Sequence, residues 1–216
     1  MKQLNSRCLI LGTRTLSIEI SDIISEIPNI RVAGFVENME PQKCNEKLED
    51  LPVYWIDELE KLSKTHCAVC ALATTHRKRF IEQVSAYNIP FATIVHPTAR
   101  VSSKSALGEG TIVSAGVVIG AYTNLGRHVI VNRGALIGHH TKIGDYVTIQ
   151  PGANIAGLCI IGDSAYIGMG AIVLDRISIG SHSIIGAGAV VTKNVPDNVQ
   201  VTGVPAKIVK EDIEGK

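Results

Sequence analysis

The hydrophobic pattern has two periods, and the chain divides where one gives way to the other. From Val95 an aliphatic residue returns every six positions: Val95, Val101, Leu107, Val113, Ile119, Leu125, Val131, Ile137, Ile143, Ile149, Ile155, Ile161, Ile167, Val173, Ile179, Ile185 and Val191. Four residues after each lies a small or β-branched residue, among them Ala99, Ser105, Thr111, Val117, Thr123 and Val129. Glycine often follows the aliphatic directly, as at Gly108, Gly120, Gly126, Gly138 and Gly144. An α-helix repeats near 3.6 residues and would not carry so much glycine and valine, whereas a short strand plus a turn, repeated, has this period. The pattern predicts a parallel β-helix with the aliphatics inside. Three hexads make one triangular coil, so residues eighteen apart stack at about 4.8 Å, and nearly six coils give a prism on the order of 27 Å long. The glycines are expected at corners with positive φ.

The first ninety-odd residues alternate strand and helix patterns. "RCLIL" is an apolar run ending at Gly12. "TLSIEISDIISEI" has helical spacing, with Leu16, Ile20, Ile23, Ile24 and Ile27 on one face. "IRVAGFV" reads as a strand, "WIDELEKL" after Pro52 as a short helix, "CAVCALA" as a strand, "THRKRFIEQVSAY" as a helix capped by Thr75, and "FATIV" as a last strand. This order predicts an α/β N-terminal domain, a small Rossmann-like parallel sheet with helices on both faces, over residues 1–94. An all-β parallel β-helix with a short C-terminal tail follows over 95–216.

Composition narrows the class. The 216 residues are 45% hydrophobic and 19% charged, with net charge +1 and no long basic run, so neither nucleic acid nor an acidic membrane is an evident partner. Signal-peptide layout and membrane-length apolar runs are absent from the sequence, which leads to the expectation of a cytoplasmic protein. Five scattered cysteines then read as reduced thiols. Cys67 and Cys70 form a CxxC on a predicted strand, where residues three apart face opposite ways and do not readily share a metal; no metal is expected. Of the seven histidines, His128 and His182 are assigned to the prism exterior, His66 and His76 to the flanks of a strand, and His96 to the domain junction.

Two histidines remain, side by side in "IGHHTKIGDYVTIQPGANIAG" (137–157). With the unbroken hexads and the closing "IIGAGAVVTKNVPDNVQVTGVPAK", this stretch resembles the left-handed β-helix sugar acyltransferases. The nearest branch contains the nucleotide-activated 4-amino-sugar N-acetyltransferases and sialic-acid O-acetyltransferase-like proteins. The resemblance implies left-handed coiling, a homotrimer, and acetyl-CoA in a groove between neighbouring prisms. It places His139 as general base and Gly157 as the backbone donor to the thioester carbonyl. Spacing supplies an independent check: 139 and 157 differ by eighteen, so they should stack on adjacent coils, which suits a base and an oxyanion donor acting together.

Departures from the family pattern are specific. His140 stands where relatives have Asp or Glu, leaving His140 or Asp145 to support the base. Thr148 stands where some relatives have a second histidine near the cofactor. By resemblance, Gly186, Gly188, Lys193 and Lys207 line the acetyl-CoA site as well. The nucleotide-contacting segments are altered: Gly12, Thr13 and Arg14 replace part of a glycine-rich turn, Glu37 and Asn38 replace two aspartates, and Thr74 lies in "ALATT". The tail "KEDIEGK" reads as ordinary surface. The expected activity is acetyl transfer from acetyl-CoA to the amine of a nucleotide-linked amino sugar of the 4-amino-4,6-dideoxy type, for bacterial surface glycan. A sugar hydroxyl as acceptor, or a non-catalytic scaffold, are the alternatives.

Overall fold

The computed structural model describes residues 6–216. They form two compact units: residues up to Ala73 with Arg77–Pro97, and Thr74–His76 with Thr98–Lys216.

The first unit is built on strands β1 (Ser6–Leu11), β2 (Ile30–Glu37), β3 (Lys47–Leu48), β4 (Leu51–Trp55) and β5 (His66–Cys70), in the order β3-β4-β2-β1-β5. β1 lies between parallel neighbours β2 and β5, which is why "CLIL" is apolar without alternation and wholly buried. Helix α1 (Thr15–Ser25) packs on β1 and β2 through Ile20, Ile23 and Ile24, spaced i, i+3, i+4. Leu16 and Ile27 are only half-buried, and Ser17 takes the inner position of the first turn.

Four expectations change here. The sheet is mixed, because β3 pairs antiparallel with β4 around Glu49 and Asp50, both at positive φ. β4, spanning "LPVYW", pairs parallel with β2; its Pro52 and lack of alternation hide it in the sequence. "WIDELEKL" forms a 3-10 helix over Ile56–Lys61. "FATIV" gives only a bridge from Phe91 to Ala68 and the two-residue strand Ile94–Val95. The histidines also move inward. His66 is buried within β5 and His96 is buried with Nε2 3.2 Å from the Glu26 carboxylate. In the CxxC, burial pushes the Cys70 thiol up to about 11, while Cys67 lies in register beside Cys8 of β1.

In the second unit each hexad gives a two-residue strand that pairs with the one eighteen residues on, as Leu136 with Asn154 and Ile137 with Ile155, until the last coil, where Ile184 pairs with Gln200, sixteen on. Three sheets result, the faces of a left-handed β-helix. One runs from Arg100–Val101 to Val190–Val191, and a second from Ala106–Leu107 to Ser178–Ile179. The third runs from Ile112–Val113 to Gln200–Gly203, where Ala206–Lys210 ends it antiparallel. The hexad aliphatics from Val113 to Val191 are all buried.

The glycines after the aliphatics turn out to serve space rather than torsion. A Cβ on Gly138 would stand 2.5 Å from the Gly157 nitrogen of the next coil. Gly108, Gly120, Gly126 and Gly144 face the next coil as closely. Positive φ instead falls two residues later, on side-chain-bearing residues such as Tyr122, His140, Leu158 and Arg176. His128, expected outside, is one of these; it is buried over Gly110, with its ring stacked on Tyr146 at 5.4 Å.

Candidate active site

One corner of the prism, between the first and second faces, carries Gly120–Thr123, Gly138–Thr141, Ala156–Cys159 and Leu174–Ile177 on successive coils. Its inner wall is a hydroxyl ladder. Ser105, Thr123 and Thr141 point inward and donate to the carbonyls of Gly120 (2.7 Å), Gly138 (2.7 Å) and Ala156 (3.2 Å) one coil on. Each hydroxyl also accepts from the next coil, Thr123 N–H onto Ser105 and Cys159 N–H onto Thr141. Thr123 and Thr141 are buried and Ser105 half-buried, and hydroxyls with both capacities met hold the turn backbone in place.

Outside this wall stand His139 and His140, both exposed. His139 lies over Gly157: a Cβ at 157 would come within 2.9 Å of its Cε1 and Nε2. The Leu158 N–H donates to the His139 carbonyl at 2.8 Å, and the Gly157 carbonyl accepts from Arg176 N–H at 3.1 Å. Among the described residues no group accepts from the Gly157 N–H itself. His139 Nδ1 is 3.0 Å from His140 Nδ1, with the rings at 88°. The His140 ring in turn lies 4.9 Å from Tyr122, whose other neighbour is the Lys104 ammonium at 5.2 Å. The corner thus brings an imidazole nitrogen to a bare amide and supplies a ring nitrogen behind it.

Asp145 is elsewhere. Its carboxylate sits at the following corner and takes three bonds from Arg127, at 2.7 Å from the backbone N–H, 3.0 Å from Nε and 2.7 Å from Nη2. Burial alone would raise its carboxyl; the Arg127 bonds outweigh that and hold it below the ordinary range. Between the two candidates for supporting the base, only His140 touches His139.

The cofactor candidates do not share this corner within one chain. Thr148 is buried on the third face, and Gly186 is covered by the Thr202 side chain. Gly188 is open, at positive φ, on the corner between the third and first faces. Lys193 and Lys207 are exposed, Lys207 on the terminal antiparallel strand.

In the first unit, Gly12, Thr13, Arg14, Glu37 and Asn38 collect at the carboxyl ends of β1 and β2. Glu37 is buried. Its Oε1 accepts the N–H groups of Asn38 (3.0 Å), Met39 (2.9 Å) and Glu40 (3.4 Å), and its Oε2 accepts from the Thr13 hydroxyl. Arg14 pairs with Glu40 at 3.2 Å, as does Lys43 at 2.9 Å. Asn38 donates its amide to Gln83 at 2.8 Å. Glu40, Lys43 and Gln83 join this cluster through contacts with no local sequence signal. The α1 N-terminus has no side-chain cap, and the buried Ser17 hydroxyl beside Gly12 has no hydrogen-bond partner. Thr74 falls with the second unit.

Residues 122–157 and 158–193 each match the bacterial transferase hexapeptide (six repeats) family. The whole fold is shared with solved acyltransferases. A perosamine N-acetyltransferase from Caulobacter crescentus, with one histidine replaced by asparagine and in complex with CoA and GDP-perosamine, superposes with TM-score 0.88. It is 28% identical, over 95% of this chain and 98% of that one. The acetyltransferase domain of PglB from Neisseria gonorrhoeae FA1090, in complex with acetyl coenzyme A, gives TM-score 0.87 at 27% identity over 95% and 100%. The family match is confined to the second unit, and the likeness to the solved acetyltransferases extends over nearly the whole chain. WeeI from Acinetobacter baumannii AYE shares the fold at TM-score 0.84 and 24% identity, over 94% and 100% of the two chains. No curated protein sequence matches. No group of three His, Cys, Asp or Glu side chains suited to a metal ion occurs among the described residues. None of the described helices is long and apolar enough to cross a membrane.

Proposed function

We propose that this acyltransferase moves the acetyl group of acetyl-CoA onto the amine of a nucleotide-linked amino sugar. The observation that carries the proposal is the His139 imidazole lying over Gly157, whose N–H no other described group uses. An acyl transfer needs a base for the attacking amine and a donor for the tetrahedral oxyanion, and these two stand one coil apart. The amine attacks the thioester carbon while His139 Nε2 accepts its proton. The Gly157 N–H takes the developing negative charge on the carbonyl oxygen. The tetrahedral intermediate then collapses, expelling CoA as thiolate. The relatives from Caulobacter and Neisseria, solved with CoA or acetyl-CoA, support this donor.

His140 serves as the positioning partner. Two Nδ1 atoms at 3.0 Å share one hydrogen. If His139 carries it, its Nε2 lone pair faces the reacting amine and His140 is the acceptor; the reverse arrangement leaves His139 with no basic nitrogen at Nε2.

The first unit binds the nucleotide portion. The uncapped N-terminus of α1 and the unpartnered Ser17 hydroxyl favour a phosphate there, with Arg14 as a charged donor. A homotrimer is part of the proposal. Leu136, Leu158, Ile160, Ile172 and Leu174 stay 40–52% exposed on and beside the His139 corner, more apolar surface than a lone prism needs there. A neighbouring prism at that face would bring Gly188 and the C-terminal lysines of one copy to the His139 of another. The proposed location is the cytoplasm, where acetyl-CoA and nucleotide sugars are made.

The deciding experiment is acetyl transfer to a panel of GDP-, UDP- and dTDP-linked 4-amino sugars against their 4-hydroxy analogues. Turnover of the amines and His139→Ala lowering kcat by about 10²–10⁴-fold, with CoA affinity kept, is expected. Near-normal turnover by that variant removes His139 as base. Turnover of the hydroxy analogues alone makes the protein an O-acetyltransferase.

A further inference from the structure

Two tyrosines of the second unit each carry a lysine ammonium over the ring. At Tyr166 the contact fastens the tail. The Lys216 ammonium sits 4.2 Å over that ring and donates to its hydroxyl at 2.9 Å. The Lys216 carbonyl accepts from the Thr75 N–H at 2.7 Å and from the Thr74 and Thr75 hydroxyls. The tail is therefore not ordinary surface, and Thr75 does not cap the second helix. At Tyr122 the contact leads to the His139 corner instead, because the other neighbour of this ring is His140.

Lys104, Tyr122 and His140 are spaced eighteen apart, so they stand on successive coils of one corner. Tyr122 and His140 are both at positive φ, as are Leu158 and Arg176 beyond them. That torsion suits glycine or asparagine and disfavours a bulky side chain. The corner between the third and first faces meets the same demand with Gly116, Gly134, Gly152, Gly170 and Gly188. The Tyr122 ring is thus kept against the torsion, and it is half exposed, so the core does not require it.

The adjoining column gives His139 no such support. Ala121 stands one coil before it and Gly157 one coil after, and neither carries a side chain that could hold its ring. Among the described residues, only His140 bonds to the His139 ring or packs its own ring against it. Exposed side chains change rotamer freely, and only a rotamer with Nδ1 toward His139 makes His140 an acceptor. The Tyr122 ring, 4.9 Å from His140 and tilted by 37°, lies within the range at which aromatic rings attract. The Lys104 ammonium, 5.2 Å from the Tyr122 centroid, steadies that ring in turn.

We propose that Tyr122 is a positioning residue: its ring selects the His140 rotamer whose Nδ1 faces His139, and so keeps His139 Nε2 free to accept a proton. The proposal rests on the reading of His139 as base and adds the part that orients its partner.

Tyr122→Asn removes the ring and tolerates the positive φ, and Tyr122→Phe keeps the ring as control. Tyr122→Asn should lower kcat for the amine about 2–10-fold, the worth of one aromatic contact, with KM and acetyl-CoA affinity unmoved; Tyr122→Phe should match the wild type. In the His140→Ala background Tyr122→Asn should change nothing further, because the contact it removes is already gone. Nitrogen NMR of the His139 ring, which needs no substrate, should show the hydrogen moving from Nδ1 to Nε2 in part of the Tyr122→Asn population and staying on Nδ1 in Tyr122→Phe. An unchanged ring spectrum or an unchanged kcat in Tyr122→Asn overturns the positioning role. So does a loss of kcat that persists in full in the His140→Ala background, or a Tyr122→Phe variant that fails as Tyr122→Asn does. Near-normal turnover by His139→Ala, or no turnover of any amine, overturns the functional reading instead, and the ring spectrum then still judges Tyr122.

Discussion

In the proposed mechanism, one hydrogen at His140 decides whether its neighbour acts as a base. A carboxylate in that place would accept the His139 Nδ1–H in every tautomer; an imidazole does so only through an unprotonated Nδ1. His140→Ala should therefore lower kcat by about 10-fold or more with little change in KM. His140→Asn, which keeps an acceptor oxygen and tolerates the positive φ of this position, should restore most of it. Nitrogen NMR of the His139 ring distinguishes this from a merely structural effect: Nδ1 should carry the hydrogen in the wild type and the Asn variant, and not predominantly in the Ala variant. Gly157→Ala is the complementary test. Its methyl would occupy the space of the His139 ring tip, so kcat should fall while the fold, followed by circular dichroism, persists.

Glu37 shows a different use of a residue that the family resemblance marks as a ligand contact. Its carboxylate is consumed by its own loop. Burial works against ionisation, but the Thr13 hydroxyl and the N–H groups of Met39, Asn38 and Glu40 outweigh it and hold the carboxyl below its ordinary value. A carboxyl depressed on folding contributes stability above its unfolded pKa of about 4.3, and that contribution disappears as pH falls through the lower folded value. Glu37→Gln should cost about 1–3 kcal/mol at pH 7 in denaturant unfolding, and the gap from wild type should close below about pH 4.

At the scale of elements, the β-helix was legible because its period is local: each aliphatic faces inward whatever the distant chain does. What the period cannot express is why glycine follows the aliphatic. That reason lies one coil away, in backbone approaching within 3 Å of where a Cβ would stand, as at Gly138. The hydroxyl ladder is likewise a product of stacking. Thr141→Val keeps shape but removes a donor to Ala156 and an acceptor for Cys159 N–H, and should destabilise by about 1–3 kcal/mol, read from the unfolding midpoint. The N-terminal elements were read less well. β4 and the β3–β4 turn depend on pairing with β2 rather than on their own pattern, and Thr75 exchanged a capping role for a partner 141 residues distant.

For the whole molecule, the apolar residues around the His139 corner give the proposed trimer its test. Leu136→Lys or Ile160→Lys places an ammonium on that surface; sedimentation should find a trimer for the wild type and smaller species for these variants. If the site is shared between copies, acetyl-CoA affinity should fall with dissociation.

The sequence by itself determined the β-helix, the α/β character of the first domain and the juxtaposition of His139 with Gly157, because all three follow from fixed periods along the backbone. Only tertiary structure decided that His140 rather than Asp145 meets His139, that Glu37 braces its own loop, and that the tail clasps Thr74 and Thr75. Those outcomes rest on contacts between residues on different turns or elements, where side chains compete for partners that no local pattern names.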